Sequence, residues 1–93
     1  MLDTESIKAK FPVFRQQTPQ GQPLVYFDNA ATTQKPQQVI DAIAEYYGGY
    51  ASNVGRGAYW PATKATHAFQ QAREKVKGFV NAASTKEIIF TAG

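Results

Sequence analysis

The chain contains no cysteine, which excludes disulfides and thiolate metal ligands. His67 is its only histidine, so the donors for a structural zinc site are missing too. No apolar run approaches membrane-spanning length. The ten basic and seven acidic residues are mixed along the chain and give a net charge of +3. Without a basic block there is no footprint for nucleic acid. Met1-Leu2-Asp3-Thr4-Glu5 is acidic and polar, unlike the basic start and apolar centre of a secretory leader. A cytoplasmic protein with neither a membrane nor a nucleic-acid partner is expected. Ninety-three residues suffice for one small domain with a modest core.

What is there reads as helices punctuated by turns. Asp3 or Thr4 can cap a short helix through Ala9, which Phe11-Pro12 ends. Residues 16–23, Gln-Gln-Thr-Pro-Gln-Gly-Gln-Pro, have the composition of a surface loop or hairpin. Leu24 to Phe27 then form a short apolar strand. From Pro36, the spacing of Val39, Ile40, Ile43, Tyr46, Tyr47 and Tyr50 is helical, and Gly48-Gly49 is a natural stop. Residues 51–60 are a loop, and Pro61 opens the longest helix. Ala65, Ala68, Phe69, Ala72, Val76, Phe79, Val80 and Ala83 line one stripe of it. Asn81 to Thr85 end that helix, and Glu87-Ile88-Ile89-Phe90-Thr91 reads as a second strand, apolar on successive residues.

The most informative stretch is Asp28-Asn29-Ala30-Ala31-Thr32-Thr33-Gln34-Lys35-Pro36. It follows an apolar strand and precedes a helix. Asp28 and Asn29 can close a turn with their own side chains, while Ala30 and Ala31 leave the backbone bare enough for a ligand to approach. An ordinary strand-to-helix connection needs the same small residues, so both readings stand on local physics.

Together with Tyr26-Phe27, this run resembles the start of pyridoxal-phosphate enzymes of the class V aminotransferase group. It is most similar to cysteine desulfurases of the Suf and Csd type. The likeness continues in one collinear register through Phe11-Pro12, Asn53-Val54, Arg56-Gly57, Ala65-Thr66, Ala72-Arg73-Glu74 and Glu87 to Thr91. The resemblance implies an α/β fold-type I enzyme. Residues 1–93 would be its amino-terminal segment, itself mainly helical with short strands, cut before the pyridoxal-phosphate region as Thr91-Ala92-Gly93 opens the phosphate turn. It implies sulfur mobilisation from L-cysteine, giving alanine and a persulfide on the enzyme, in a homodimer that serves a sulfur-acceptor protein in iron–sulfur cluster assembly. None of the seven lysines lies in the histidine-lysine context that marks the cofactor lysine of this family. That lysine, the sulfur-carrying cysteine and most phosphate ligands are therefore expected after residue 93, and the 93-residue chain alone is expected to be inactive and free of pyridoxal phosphate.

By the same resemblance, four residues border the substrate pocket: Ala30, Ala31, Arg56 and Tyr59. The turn at Ala30-Ala31 would offer backbone N–H groups to the amino-acid carboxylate. Arg56, flanked by Gly55 and Gly57, would project one cation suited to carboxylate recognition. An exposed arginine on a flexible loop is the alternative. The chain also departs from the family pattern. Gly55 and Tyr59 stand where these enzymes commonly carry histidines, Trp60-Pro61 replaces an aliphatic-and-serine stretch, and Gln70 replaces a glutamate that would pair with Arg73. His67, alone on its helix, reads as a packing or surface residue.

These departures keep a selenocysteine lyase, or another class V lyase or transaminase, in view. A different class of reading also remains. A self-contained, non-catalytic helical module could use Tyr46, Tyr47, Tyr50, Tyr59 and Trp60 as partner anchors.

Overall fold

Helix starts in this chain are set either by a capping side chain, as at Asp3, or by a proline in the first turn, as at Pro61, where no side chain caps the helix. The computed structural model describes residues 1–55 and 57–93, which form two units, Met1–Glu45 and Tyr46–Gly93.

In the first unit, Asp3 accepts the Ser6 amide at 3.1 Å and starts α1, Thr4–Lys8. Pro12 then begins a single 3-10 turn, Pro12–Arg15. Phe11 and Phe14 meet edge to face with ring centroids 6.3 Å apart, and the Lys8 ammonium lies 5.7 Å from the Phe14 ring. Residues 16–23 fold back as expected for a hairpin, with one antiparallel bridge between Gln17 and Pro23. The Thr18 amide donates to the Gln22 carbonyl at 2.8 Å, and Gly21 supplies the positive φ of 77° that the turn requires. Helix α2, Gln37–Glu45, follows Pro36 directly, and the Gln37 amide is bound to the Lys10 carbonyl at 2.8 Å. Val39, Ile40 and Ile43 on α2 remain exposed.

The second unit opens with a π-helical turn, Tyr46–Tyr50. Here the glycines act differently from the expected stop. Neither Gly48 nor Gly49 takes a positive φ, and both lie inside the wide turn. The turn is held by its aromatic rings. Tyr46 meets Tyr47 and Tyr50 edge to face at 5.2 and 5.3 Å, and the Tyr46 hydroxyl donates to the Ser52 carbonyl at 3.1 Å. The Lys64 ammonium sits 4.6 Å from the Tyr50 ring.

Helix α3, Trp60–Val80, has Pro61 in its first turn and ends at Asn81, whose φ of 56° is left-handed. The Ala82 amide caps the Lys77 carbonyl at 3.0 Å. Ser84 and Glu87 then form a reciprocal capping box around the 3-10 turn Thr85–Glu87. Ala62 and Ala65 on α3 and Ile88 after this turn are buried. The predicted apolar stripe is thus covered at its amino-terminal end and open at its far end, where Phe79 is 92% exposed.

The two expected strands are not formed among the described residues. Leu24 to Phe27 and Ile88 to Thr91 run without regular secondary structure and without a paired neighbour. A strand exists only through the hydrogen bonds of its ladder, and neither segment has one here. Some of their apolar side chains stay in solvent, Phe27 at 95% and Ile89 at 77% exposed, while Ile88 is buried.

Candidate functional site

The turn after Phe27 is built from its own polar atoms. The Asp28 carbonyl accepts the amides of Ala31 and Thr32, each at 3.1 Å. The Asn29 side chain accepts the Gln34 amide at 3.2 Å, and the Thr33 hydroxyl donates to the Asn29 carbonyl at 3.3 Å. The Lys35 ammonium donates to the Thr33 carbonyl. Asn29 closes the turn with its side chain as the sequence indicates, whereas Asp28 acts through its main-chain carbonyl and not through the side chain expected of it.

Ala30 and Ala31 lie side by side at the exposed apex of this turn, but their amides differ. The Ala31 N–H is already given to Asp28. The N–H groups of Asn29 and Ala30 have no acceptor among the described residues. A backbone donor left open beside methyl-sized side chains suits a small anion such as a carboxylate. Of the two alanines, only Ala30 is free to donate.

A residue that sequence reasoning passed over holds this turn from the strand side. The Tyr26 hydroxyl lies 2.6 Å from the Thr32 carbonyl and 3.1 Å from that of Asp28. A tyrosine between Val25 and Phe27 reads as one more apolar strand residue, and nothing local signals the contact six residues on.

Tyr59 belongs to the second unit, and Ala30 and Ala31 belong to the first. Tyr59 is exposed and precedes α3, where its carbonyl accepts the Thr63 amide at 3.1 Å and the Thr63 hydroxyl at 3.3 Å. Arg56 lies outside the described residues. On its amino-terminal side, the Gly55 amide donates to the Thr66 hydroxyl at 2.9 Å, and Thr66 donates in turn to the Ala62 carbonyl at 2.7 Å. Gly55 has φ of 113°, which side chains rarely tolerate. On the other side, a Cβ at Gly57 would collide with the Cβ of Ala62. The two glycines are thus required for different reasons, one conformational and one steric.

An open cavity of about 860 Å³ flanks α3 and is lined by Val54, Thr66, His67, Gln70, Arg73 and Thr85 among others. Arg73 is its most engaged cation. The guanidinium donates to the Ile88 carbonyl at 2.6 Å and lies 5.2 and 5.3 Å from the rings of Phe69 and Phe90. Those rings meet edge to face at 5.2 Å. Arg73 is therefore occupied in joining α3 to residues 88–90. Among the described residues, no group of three or more potential ligands could hold a metal ion, and no helix is long and apolar enough to cross a membrane.

Residues 25–93 match the family described as aminotransferase class-V. Two proteins named "Probable cysteine desulfurase" are similar over almost the whole chain. The one from Streptomyces coelicolor is 52% identical over 91 residues, which is 98% of this chain and 22% of that protein. The one from Vibrio cholerae is 52% identical over 93 residues, covering 100% of this chain and 23% of that protein. Among solved structures, an apo cysteine desulfurase from Thermococcus onnurineus NA1 superposes with a TM-score of 0.79 at 34% identity, over 98% of this chain and 21% of that one. The chain thus spans less than a quarter of the length of these relatives. The match begins at Val25 and takes in the Asp28–Lys35 turn, the loop at Gly55–Gly57 and all of α3, and on that evidence the chain belongs to the aminotransferase class-V family.

Proposed function

We propose that residues 1–93 form the amino-terminal segment of a pyridoxal-phosphate-dependent cysteine desulfurase of the α/β fold-type I class. Its substrate is L-cysteine, and its products are alanine and sulfur held on the enzyme as a persulfide for an acceptor protein. The reading includes a cytoplasmic homodimer. The observation that carries it is the 52% identity, over nearly every residue of the chain, to proteins bearing that name.

In this reading the cofactor's anchor is not among the seven lysines of residues 1–93, because none stands in the histidine-lysine context that marks it in the family. The lysine, most phosphate ligands and the sulfur-carrying cysteine belong, in this reading, to sequence after residue 93.

What this segment contributes is the edge of the substrate pocket. Ala30 offers its free N–H to the substrate carboxylate and Ala31 keeps the approach open, while Arg56 and Tyr59 are carried over to the pocket from the family resemblance alone. Arg56→Ala in the complete enzyme is expected to lower turnover roughly ten- to a hundredfold, the effect of losing one charge-assisted contact, with cofactor content retained. Unchanged kinetics would remove Arg56 from the pocket.

The altered sequence at 55–61 carries a second reading, a class V enzyme acting on selenocysteine or transferring an amino group. Alanine release from L-cysteine measured against L-selenocysteine separates the two. A preference for cysteine supports the desulfurase, and negligible turnover of cysteine beside rapid turnover of selenocysteine overturns it.

A further inference from the structure

Resting on the placement of Ala30 at the substrate's edge, we propose that Tyr26 is a positioning residue for substrate binding. Its hydroxyl braces the turn that presents the Ala30 amide. The phenol carries one proton and stands between two carbonyls. The shorter contact, 2.6 Å to Thr32, takes the proton, and Asp28 at 3.1 Å shares it in a bifurcated bond. These two carbonyls bracket Asn29, Ala30 and Ala31. The hydroxyl therefore pins both ends of the stretch that carries the open Asn29 and Ala30 amides. Asp28 is also the acceptor for Ala31 and Thr32, so one phenol stabilises the carbonyl on which the turn closes. Tyr26 is half-buried while Val25 and Phe27 on either side are exposed, as a ring folded against its own turn should be.

An open N–H binds a carboxylate well only if it is already aimed, since ordering the turn at the moment of binding weakens the complex. Tyr26 thus acts on substrate affinity rather than on the reacting atoms. Tyr26→Phe keeps the ring and its packing and removes only the brace.

The test uses the complete enzyme with bound pyridoxal phosphate. Tyr26→Phe is expected to raise KM for L-cysteine roughly three- to tenfold, the range of one hydrogen bond, with kcat changed less than twofold. The same variant is expected to speed hydrogen exchange at the amides of Ala31 and Thr32. A purely structural role would instead reduce cofactor content or melting temperature and leave KM alone. Ala30→Val, made in parallel, fills the pocket edge directly. If Ala30→Val raises KM and Tyr26→Phe does not, the brace plays no part in binding and the proposal for Tyr26 is overturned. If neither changes KM, the placement of Ala30 at the pocket is itself wrong. A rise in KM in both, with faster exchange in Tyr26→Phe, supports both.

Discussion

Replacing Arg73 by alanine removes three contacts from one side chain: the hydrogen bond to the Ile88 carbonyl and the stacking on Phe69 and Phe90. A hydrogen bond from a charged donor contributes about 1.5–3 kcal/mol. Each cation–π contact at a partly exposed site adds about 0.5–1 kcal/mol. The three share one guanidinium and are not additive, so a total of about 2–3 kcal/mol is the reasonable expectation. The loss falls on residues 88–90, which have no strand partner among the described residues and lean on α3 through this arginine. The readout is hydrogen exchange at the Ile88 amide, which is bonded to the Thr85 carbonyl at 3.1 Å. Arg73→Ala should reduce its protection roughly 30- to 150-fold, at a tenfold change per 1.4 kcal/mol. Arg73→Lys keeps the charge but not the planar fork, so it should recover only part of the protection. Equal protection in all three proteins would show that the contacts with Ile88, Phe69 and Phe90 hold nothing in place.

Gly57→Ala should destabilise the protein by about 1–3 kcal/mol, because its Cβ must displace the buried Ala62; an unchanged melting temperature would contradict that packing. Gly55→Ala should cost about 1–3 kcal/mol for a different reason, the strain of a side chain at φ of 113°, and full stability of this variant would deny the backbone conformation. The 93-residue chain by itself should associate with rising concentration, because Phe27, Phe79 and Ile89 are open to solvent. Sedimentation that shows a compact monomer at high concentration would favour the self-contained module.

The helical skeleton was largely legible, and the reasons are local. Asp3, Pro61 and Asn81 act through their own backbone or side-chain chemistry, so α1 and the limits of α3 could be placed from one or two residues each. The turn at 28–34 was equally visible because Asp28 and Asn29 form it from within. Features that depend on distant partners were not. The apolar runs at 24–27 and 88–91 have strand composition, yet a strand forms only where another edge meets it. Gly48-Gly49 looked like a helix stop, but the edge-to-face packing of Tyr46 with Tyr47 and Tyr50 accompanies a π turn instead. Tyr26 was hidden for the same reason, since its role lies in an oxygen six residues away. In the candidate site, the small residues could be named from sequence, but the fact that Ala30 and not Ala31 keeps its amide free required the hydrogen bonds.

The most direct test of the desulfurase assignment is a single-turnover reaction of the complete protein, loaded with pyridoxal phosphate, with L-cysteine. The alanine formed is quantified, and the protein is alkylated for mass spectrometry. The account predicts one alanine per active site and one added sulfur on a protein cysteine, released as sulfide on reduction. Formation of a keto acid from cysteine, or alanine without any sulfur on the protein, would contradict it.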